Sequence, residues 1–317
     1  MRWRPFLLAL PVAAGCALTP ASPPPAIEPV AARIRDDVRV QHAVEEARAQ
    51  FLAGQRFDRL DATVLLAAPG GLWLRGSVGG DRTWYPASCV KLGFAIAATH
   101  WCAAHSRGPD CLDQAVRPML EVSDNVATGV VVDAITGVTN GPVEGADFEA
   151  WLARRLYTED LLKDHGLLGN QRLVNKTYPT NTGEMPQELE KLAVERHGRN
   201  SMTADGSARL MLAVVSGEFG PAATDYLRLR LRRPRISPES AMGGGFPEGT
   251  VYESKFGSAY DTLAEIAHAE LPDGRRIIIA AYSNGRDPDG PDEQDPSALA
   301  GFAALLLERL TTPQAGP

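Results

Sequence analysis

Strand-forming sequence occurs in two blocks near opposite ends of the chain, and the stretch between them is helical. "ATVLLAA" (62–68) and "GLWLRGSV" (71–78) are short apolar runs broken by Pro69-Gly70-Gly71. "TVYESKFG" (250–257), "LAEIAHAEL" (263–271) and "RRIIIAAYS" (275–283) form the second block, with Pro272-Asp273-Gly274 as a hairpin turn. Two strands alone are marginal in water, so the blocks are expected to meet in one sheet. Between them, "SCVKLGFAIAATHWCAAH" (88–105) is apolar nearly all round and reads as a buried helix. "DFEAWLARRL" and "TADGSARLMLAVVSG" are amphipathic, with Thr203 as the cap of the second. "QHAVEEARAQFLA" before the first block and "PSALAGFAALLLERL" after the second supply two more helices, the latter carrying Leu299, Phe302, Leu306 and Leu310 on one face. The expectation is an α+β fold: an antiparallel sheet flanked by helices, plus a helical lobe with a cleft between them.

The ends of the chain read differently from its middle. Arg2 and Arg4 precede an apolar run, Phe6 to Ala14, that is too short to span a bilayer. The run closes on Ala13-Ala14-Gly15-Cys16, which resembles a bacterial lipoprotein signal, with Ala13 standing where leucine is more usual. Residues 1–15 are expected to be a signal peptide and Cys16 the lipidated residue, a plain secretory signal being the alternative. Residues 16–37 are an Ala/Pro-rich tether, and residues 38–312 the folded domain, with a sheet lobe (38–87 and 223–312) and a helical lobe (88–222). The chain is expected to be exported, as a periplasmic lipoprotein or a secreted protein.

Composition narrows the partners. The 317 residues carry a net charge of −7, with Lys and Arg scattered rather than clustered, so no nucleic-acid footprint is present. In an oxidising compartment Cys102 and Cys111 are placed to form a local disulfide, while Cys89 is left over and expected to be buried. His100, Cys102, His105 and Cys111 can also be written as a zinc set, but their spacing fits no common ligand pattern. The cluster Asp287, Asp289, Asp292, Glu293 and Asp295 lacks the closing glutamate of a calcium loop and reads as a solvated loop. Gly243 to Gly245 sit in a turn before a strand. No metal and no cofactor are expected.

Three short patterns carry chemistry. Ser88 and Lys91 lie three apart at a helix start, which puts both on one face. A serine hydroxyl needs a base to become a nucleophile, and a lysine serves only if burial or a second cation lowers its pKa. Ser123-Asp124-Asn125 follows, three residues that also favour helix caps. Lys255-Phe256-Gly257 lies on a strand, where a lone lysine is also a common edge residue.

In this order the three resemble the Ser-x-x-Lys, Ser-Asp-Asn and Lys-Thr-Gly set of class A β-lactamases and penicillin-binding proteins. The resemblance extends to "YPASCVKL", "MLEVSDNVATGVVVDAITG", "NSMTADGSARLMLAVVSG" and the three closing strands, covering about residues 38 to 312. It implies that Ser88 becomes acylated, Lys91 accepts its proton and Ser123 relays a proton to the leaving nitrogen. Asn125 would bind the substrate's side-chain amide and hold Lys91. Lys255 would bind a substrate carboxylate and keep Lys91 neutral. The N–H groups of Ser88 and Ser258 would form an oxyanion hole, and Gly257 would let the strand approach.

The chain departs from the pattern at three places. Phe256 replaces the hydroxyl that helps hold the carboxylate in that family, with Ser258 as a partial replacement. Ser88 and Ser123 are only 35 positions apart, a trimmed spacing. In "RLVNKTYPTN" the deacylating glutamate is replaced by Thr177, with Asn181 at its asparagine partner. Glu184, Glu188 and Glu190 follow and read as a solvated helix face. The resemblance thus implies a monomeric serine hydrolase of class A β-lactamase type, acting on a β-lactam, with slow deacylation. The alternatives are a D-alanyl-D-alanine carboxypeptidase or cell-wall amidase acting on a peptidoglycan peptide, and a catalytically silent envelope-binding homologue.

Overall fold

The computed structural model describes residues 29–54, 57–145, 147–175, 188–284 and 299–311. Six strands form one sheet: β1 (Ile34–Asp36), β2 (Leu60–Ala67), β3 (Trp73–Val78), β4 (Val251–Ala259), β5 (Thr262–Glu270) and β6 (Arg276–Ser283). Their order across the sheet is β1-β3-β2-β6-β5-β4, so the two sequence blocks meet where β2 pairs β6. All pairings are antiparallel except β1 with β3, which makes the sheet mixed at that edge rather than purely antiparallel.

Ten α-helices are present among the described residues. α1 (Val38–Gly54) precedes β2; α2 (Lys91–Ala104), α3 (Asp113–Glu121), α4 (Asn125–Thr136), α5 (Phe148–Arg155), α6 (Tyr157–Asp164), α7 (Glu188–His197), α8 (Ala204–Val215) and α9 (Pro221–Leu231) lie between β3 and β4; α10 (Ala300–Thr311) is last. The sheet is covered on both faces because its strands alternate apolar residues to each side. In β6, Ile277, Ile279 and Ala281 join one core with α1 and α10, through Val44, Ala47, Phe51, Phe302 and Leu306. Ile278, Ala280 and Tyr282 point the other way into a larger core with α2, α4 and α8, through Phe94, Ile96, Val131, Leu210 and Met211. Close packing of α1 depends on Gly76 of β3, where a Cβ would come within 2.5 Å of the Val40 backbone.

Regular structure is already present upstream of the expected Val38. Val30 is buried and β1 runs alongside β3, so the last residues assigned to the tether belong to the fold. Three residues are too few for a strand pattern to register in sequence. The zinc reading is excluded by covalent structure: Cys102 and Cys111 form a disulfide. His100 meets the Tyr157 hydroxyl at 2.9 Å, and His105 packs on Trp101. Cys89 is free and buried, as expected. No helix among the described residues is long and apolar enough to cross a membrane. Cys16, Thr177, Asn181, Glu184 and the acidic cluster 287–295 lie outside the described residues.

Candidate active site

The site forms where a helix start, a helix cap and a strand converge. Ser88 lies in a 3-10 turn, Ala87–Val90, that leads directly into α2 at Lys91. Ala87 has φ +46°, a left-handed conformation that costs an alanine energy and is held by the packing around it. Ser88 is half-buried, while its neighbours Ala87, Cys89 and Val90 are buried. Lys91 follows one turn later and is fully buried.

Ser123 precedes α4 and also has positive φ, +59°. That conformation turns both its carbonyl and its hydroxyl toward Lys91, whose Nζ lies 2.5 Å from the carbonyl and 3.2 Å from Oγ. Asp124 is the helix cap, its carboxylate accepting the Ala127 N–H at 2.7 Å. The cap leaves Asn125, first residue of α4, to accept from Lys91 Nζ through Oδ1 at 2.7 Å. Capping and site chemistry are thus divided among three neighbouring residues.

The strand side comes from β4. Alternation sends Lys255 and Gly257 to the site face and Phe256 to the opposite one, where it packs against the α1/α10 core. Lys255 is buried; its Nζ donates to Ser123 Oγ at 3.0 Å and to the Phe256 carbonyl at 2.7 Å. A Cβ on Gly257 would meet Cys89 N and Pro86 O at 2.9 Å and Ser88 N at 3.0 Å, so only glycine lets the strand pass this close to the Ser88 turn. Ser258 is exposed beside it.

Electrostatics follow from two lysines in one apolar setting. Burial first, then the positive charge of Lys255, lowers the Lys91 pKa to about 7. Burial first, then Arg233, lowers Lys255 to about 8. A neutral Lys91 has two N–H bonds and one lone pair. Two carbonyl-type acceptors, on Ser123 and Asn125, match the two N–H bonds and leave the lone pair for a hydroxyl proton. Ser123 Oγ lies between the two amines and can pass a proton onward.

Of the glutamates read as a solvated helix face, the two that are described differ from each other. Glu190 is not on a solvated face: it is fully buried, paired with Arg155 Nη2 at 2.6 Å and with Asn175 at 3.1 Å. Glu188 is exposed and accepts the Val143 N–H. Glu239 was not legible in the sequence, yet its negative charge acts on both Lys91 and Lys255, opposing their depressed pKa values. Its Oε2 is buried and has no hydrogen-bond partner. Nothing local in "SPESAM" marks it, because only folding brings that loop to the lysines.

Known proteins match this chain at three levels. Several solved structures share the fold: PBP-A, with TM-score 0.60 and 17% identity over 87% of this chain and 97% of that one, and the β-lactamases of Desulfarculus baarsii (0.62, 17%, 86% and 99%) and Xanthomonas campestris (0.62, 17%, 86% and 100%). Among curated proteins, Golvesin of Dictyostelium discoideum is 30% identical over 285 residues, which is 87% of this chain and 49% of that protein. The chain therefore spans about half the length of that relative. With the model of the Beta-lactamase enzyme family matching residues 111–310, which include Ser123, Asn125, Lys255 and Gly257, the chain belongs to the β-lactamase family.

Proposed function

We propose that the protein is a serine hydrolase that opens an amide through an acyl-Ser88 intermediate. The observation that carries this reading is Lys91: a buried lysine, held near neutrality by burial and a second cation, one helical turn from a partly accessible serine. Ser88 Oγ would attack the carbonyl carbon as its proton passes to the Lys91 lone pair. The carbonyl oxygen, now negative, would be met by the N–H groups of Ser88 and Ser258. The C–N bond then breaks, and a proton travels from Lys91 through Ser123 Oγ to the departing nitrogen. Ser88 ends as an ester and the amine leaves neutral, so charge balances. Asn125 and Lys255 would hold the substrate's amide and carboxylate.

A cyclic amide such as a β-lactam, or a peptide amide of the cell wall, fits this machinery. A variant of PBP-A has been solved as an acyl-enzyme with penicillin G, a protein that shares the fold. Slow release of the acyl group is the expected behaviour. Glu190 and Glu159 are engaged with Arg155 and His197, and Thr177 stands in sequence where the deacylating glutamate would be. This favours a penicillin-binding or peptidase-like enzyme over a fast β-lactamase. We also propose export with a lipid anchor at Cys16, so Cys16→Ser should leave the membrane fraction.

Incubation with benzylpenicillin tests the reading. Wild type should gain the mass of one penicilloyl group and Ser88→Ala none. An adduct that persists in Ser88→Ala, or maps to Ser123, would sink it.

A further inference from the structure

The segment between α9 and β4 brings a carboxylate to the two lysines. Its start is fixed by Arg233, whose backbone N–H donates to the Tyr252 carbonyl at 3.1 Å. The Arg233 Nη2 donates to the carbonyls of Ser254 and, at 3.4 Å, of Leu120. Ser254 directly precedes Lys255, and Leu120 lies three residues before Ser123. Arg233 thus ties together the two stretches that meet where Lys255 Nζ reaches Ser123 Oγ. The other end of the segment is fixed by Glu265, which stands opposite Phe256 in the β4–β5 ladder and accepts the N–H groups of Ala241 and Met242 at 2.8 and 2.6 Å. Glu239 lies between these anchors, one beside Lys255 in the strand and the other across the ladder from Phe256.

Two features set Glu239 apart from a surface carboxylate. Its Oε2 is buried with no hydrogen-bond partner, although burying a carboxylate oxygen costs free energy unless a donor or a charge compensates. The compensation is a field of cations: Lys91, Lys255 and Arg233 all feel its charge. Glu265 acts on Lys255 too, but burial pushes that carboxyl toward its neutral form. Glu239 therefore takes up part of the positive potential around Lys255. The strand offers no second holder for an anion at position 256, since Phe256 packs against the α1/α10 core.

We propose that Glu239 is a specificity-determining residue, which makes the Lys255 end of the site reject a carboxylate on the leaving side of the amide and accept leaving groups that are uncharged there. The inference rests on the acyl-Ser88 reading. A substrate carboxylate brought to Lys255 is a second negative charge in a field that Glu239 already draws on, and like charges in a partly buried site repel strongly. An uncharged group at the same place meets no such repulsion.

The test compares benzylpenicillin with its carboxamide, which differ at that group in charge and little in size. Acylation rates of Ser88 are read by intact-protein mass spectrometry at low salt, each divided by the compound's own rate with hydroxylamine. They are taken at about pH 6, well below the Lys255 value of about 8, so that Lys255 keeps its charge. A change in Lys91 acts on both compounds alike and cancels in their ratio. In wild type the charged-over-neutral ratio should not exceed about one, a readout that needs no variant to fold. Glu239→Gln should raise the ratio about tenfold or more, the scale of one like charge removed from a partly buried site. Glu239→Asp, which keeps the charge, should raise it less. A ratio unmoved by Glu239→Gln, or a wild-type ratio well above one, would overturn the selection while leaving acyl-Ser88 standing. Failure of both compounds to acylate wild type would overturn the acyl-Ser88 reading, and the selection with it.

Discussion

A lysine amine accepts a proton only once it has lost its own, and the site is built to make that happen near neutrality. Lys91 is held at about 7 and Lys255 at about 8. Acylation should rise as pH passes through about 7 and Lys91 becomes neutral. It should fall again through about 8, as Lys255 loses the charge proposed to hold a substrate carboxylate. Lys91→Met should slow acylation about 10²-fold or more, the scale of a general base; wild-type rates in that variant would remove Lys91 from the role. Glu239 pulls the other way, since a negative charge favours protonated lysine. Glu239→Gln should therefore move the acid limb to lower pH, and an unmoved limb would show that its charge does not reach the site. Gly257→Ala tests the close strand: a methyl within 3.0 Å of the Ser88 N–H should cost about 1–3 kcal/mol by overpacking and suppress acylation, read by thermal melt and adduct rate.

Among elements, the pairing of α5 with α7 is the most exposed to a single change. Arg155 and Glu190 are both fully buried and 2.6 Å apart, with Asp133 a second partner at 3.0 Å. Glu190→Gln leaves the arginine charge in place with half its compensation, and should cost about 3–5 kcal/mol in urea unfolding. A loss below about 1 kcal/mol would mean the pair is effectively solvated. The same pair marks a limit of reading elements from sequence. "EMPQELEKLAVE" has the charge spacing of a solvated helix, and the residue that buries Glu190 lies 35 positions earlier. By contrast, α1, α2, α8, α10 and the strands β2 to β6 were legible, since each has a period of its own and a turn or cap at its end. Thr203 caps α8 as expected, accepting the Gly206 N–H at 2.9 Å. Ser88 and Lys91 were legible because one helical turn joins them. Glu239 was not, since only distant packing brings its charge to the lysines.

At the scale of the molecule, a sheet joined from both ends of the chain carries the Ser88 turn, Ser123 before α4 and the Lys255 strand to one point. The Ser88 turn lies between β3 and α2 in the chain, and Gly257 of β4 fixes its distance from the sheet. Both lysines are buried and Lys91 is held by Ser123 and Asn125, the arrangement that the proposed acylation of Ser88 would use. Among the described residues, no carboxylate hydrogen-bonds either lysine. On the proposed reading, with Thr177 at the glutamate position in sequence, the chemistry should stop at the ester for long periods. The measurement that bears on this most directly is a quenched time course of wild type with a penicillin, with the modified residue located by peptide mapping. The account predicts a stoichiometric penicilloyl ester on Ser88 that forms quickly and decays slowly, with free penicilloate appearing as a burst and then a slow phase. Steady, rapid hydrolysis with no ester on Ser88 at any time would contradict it.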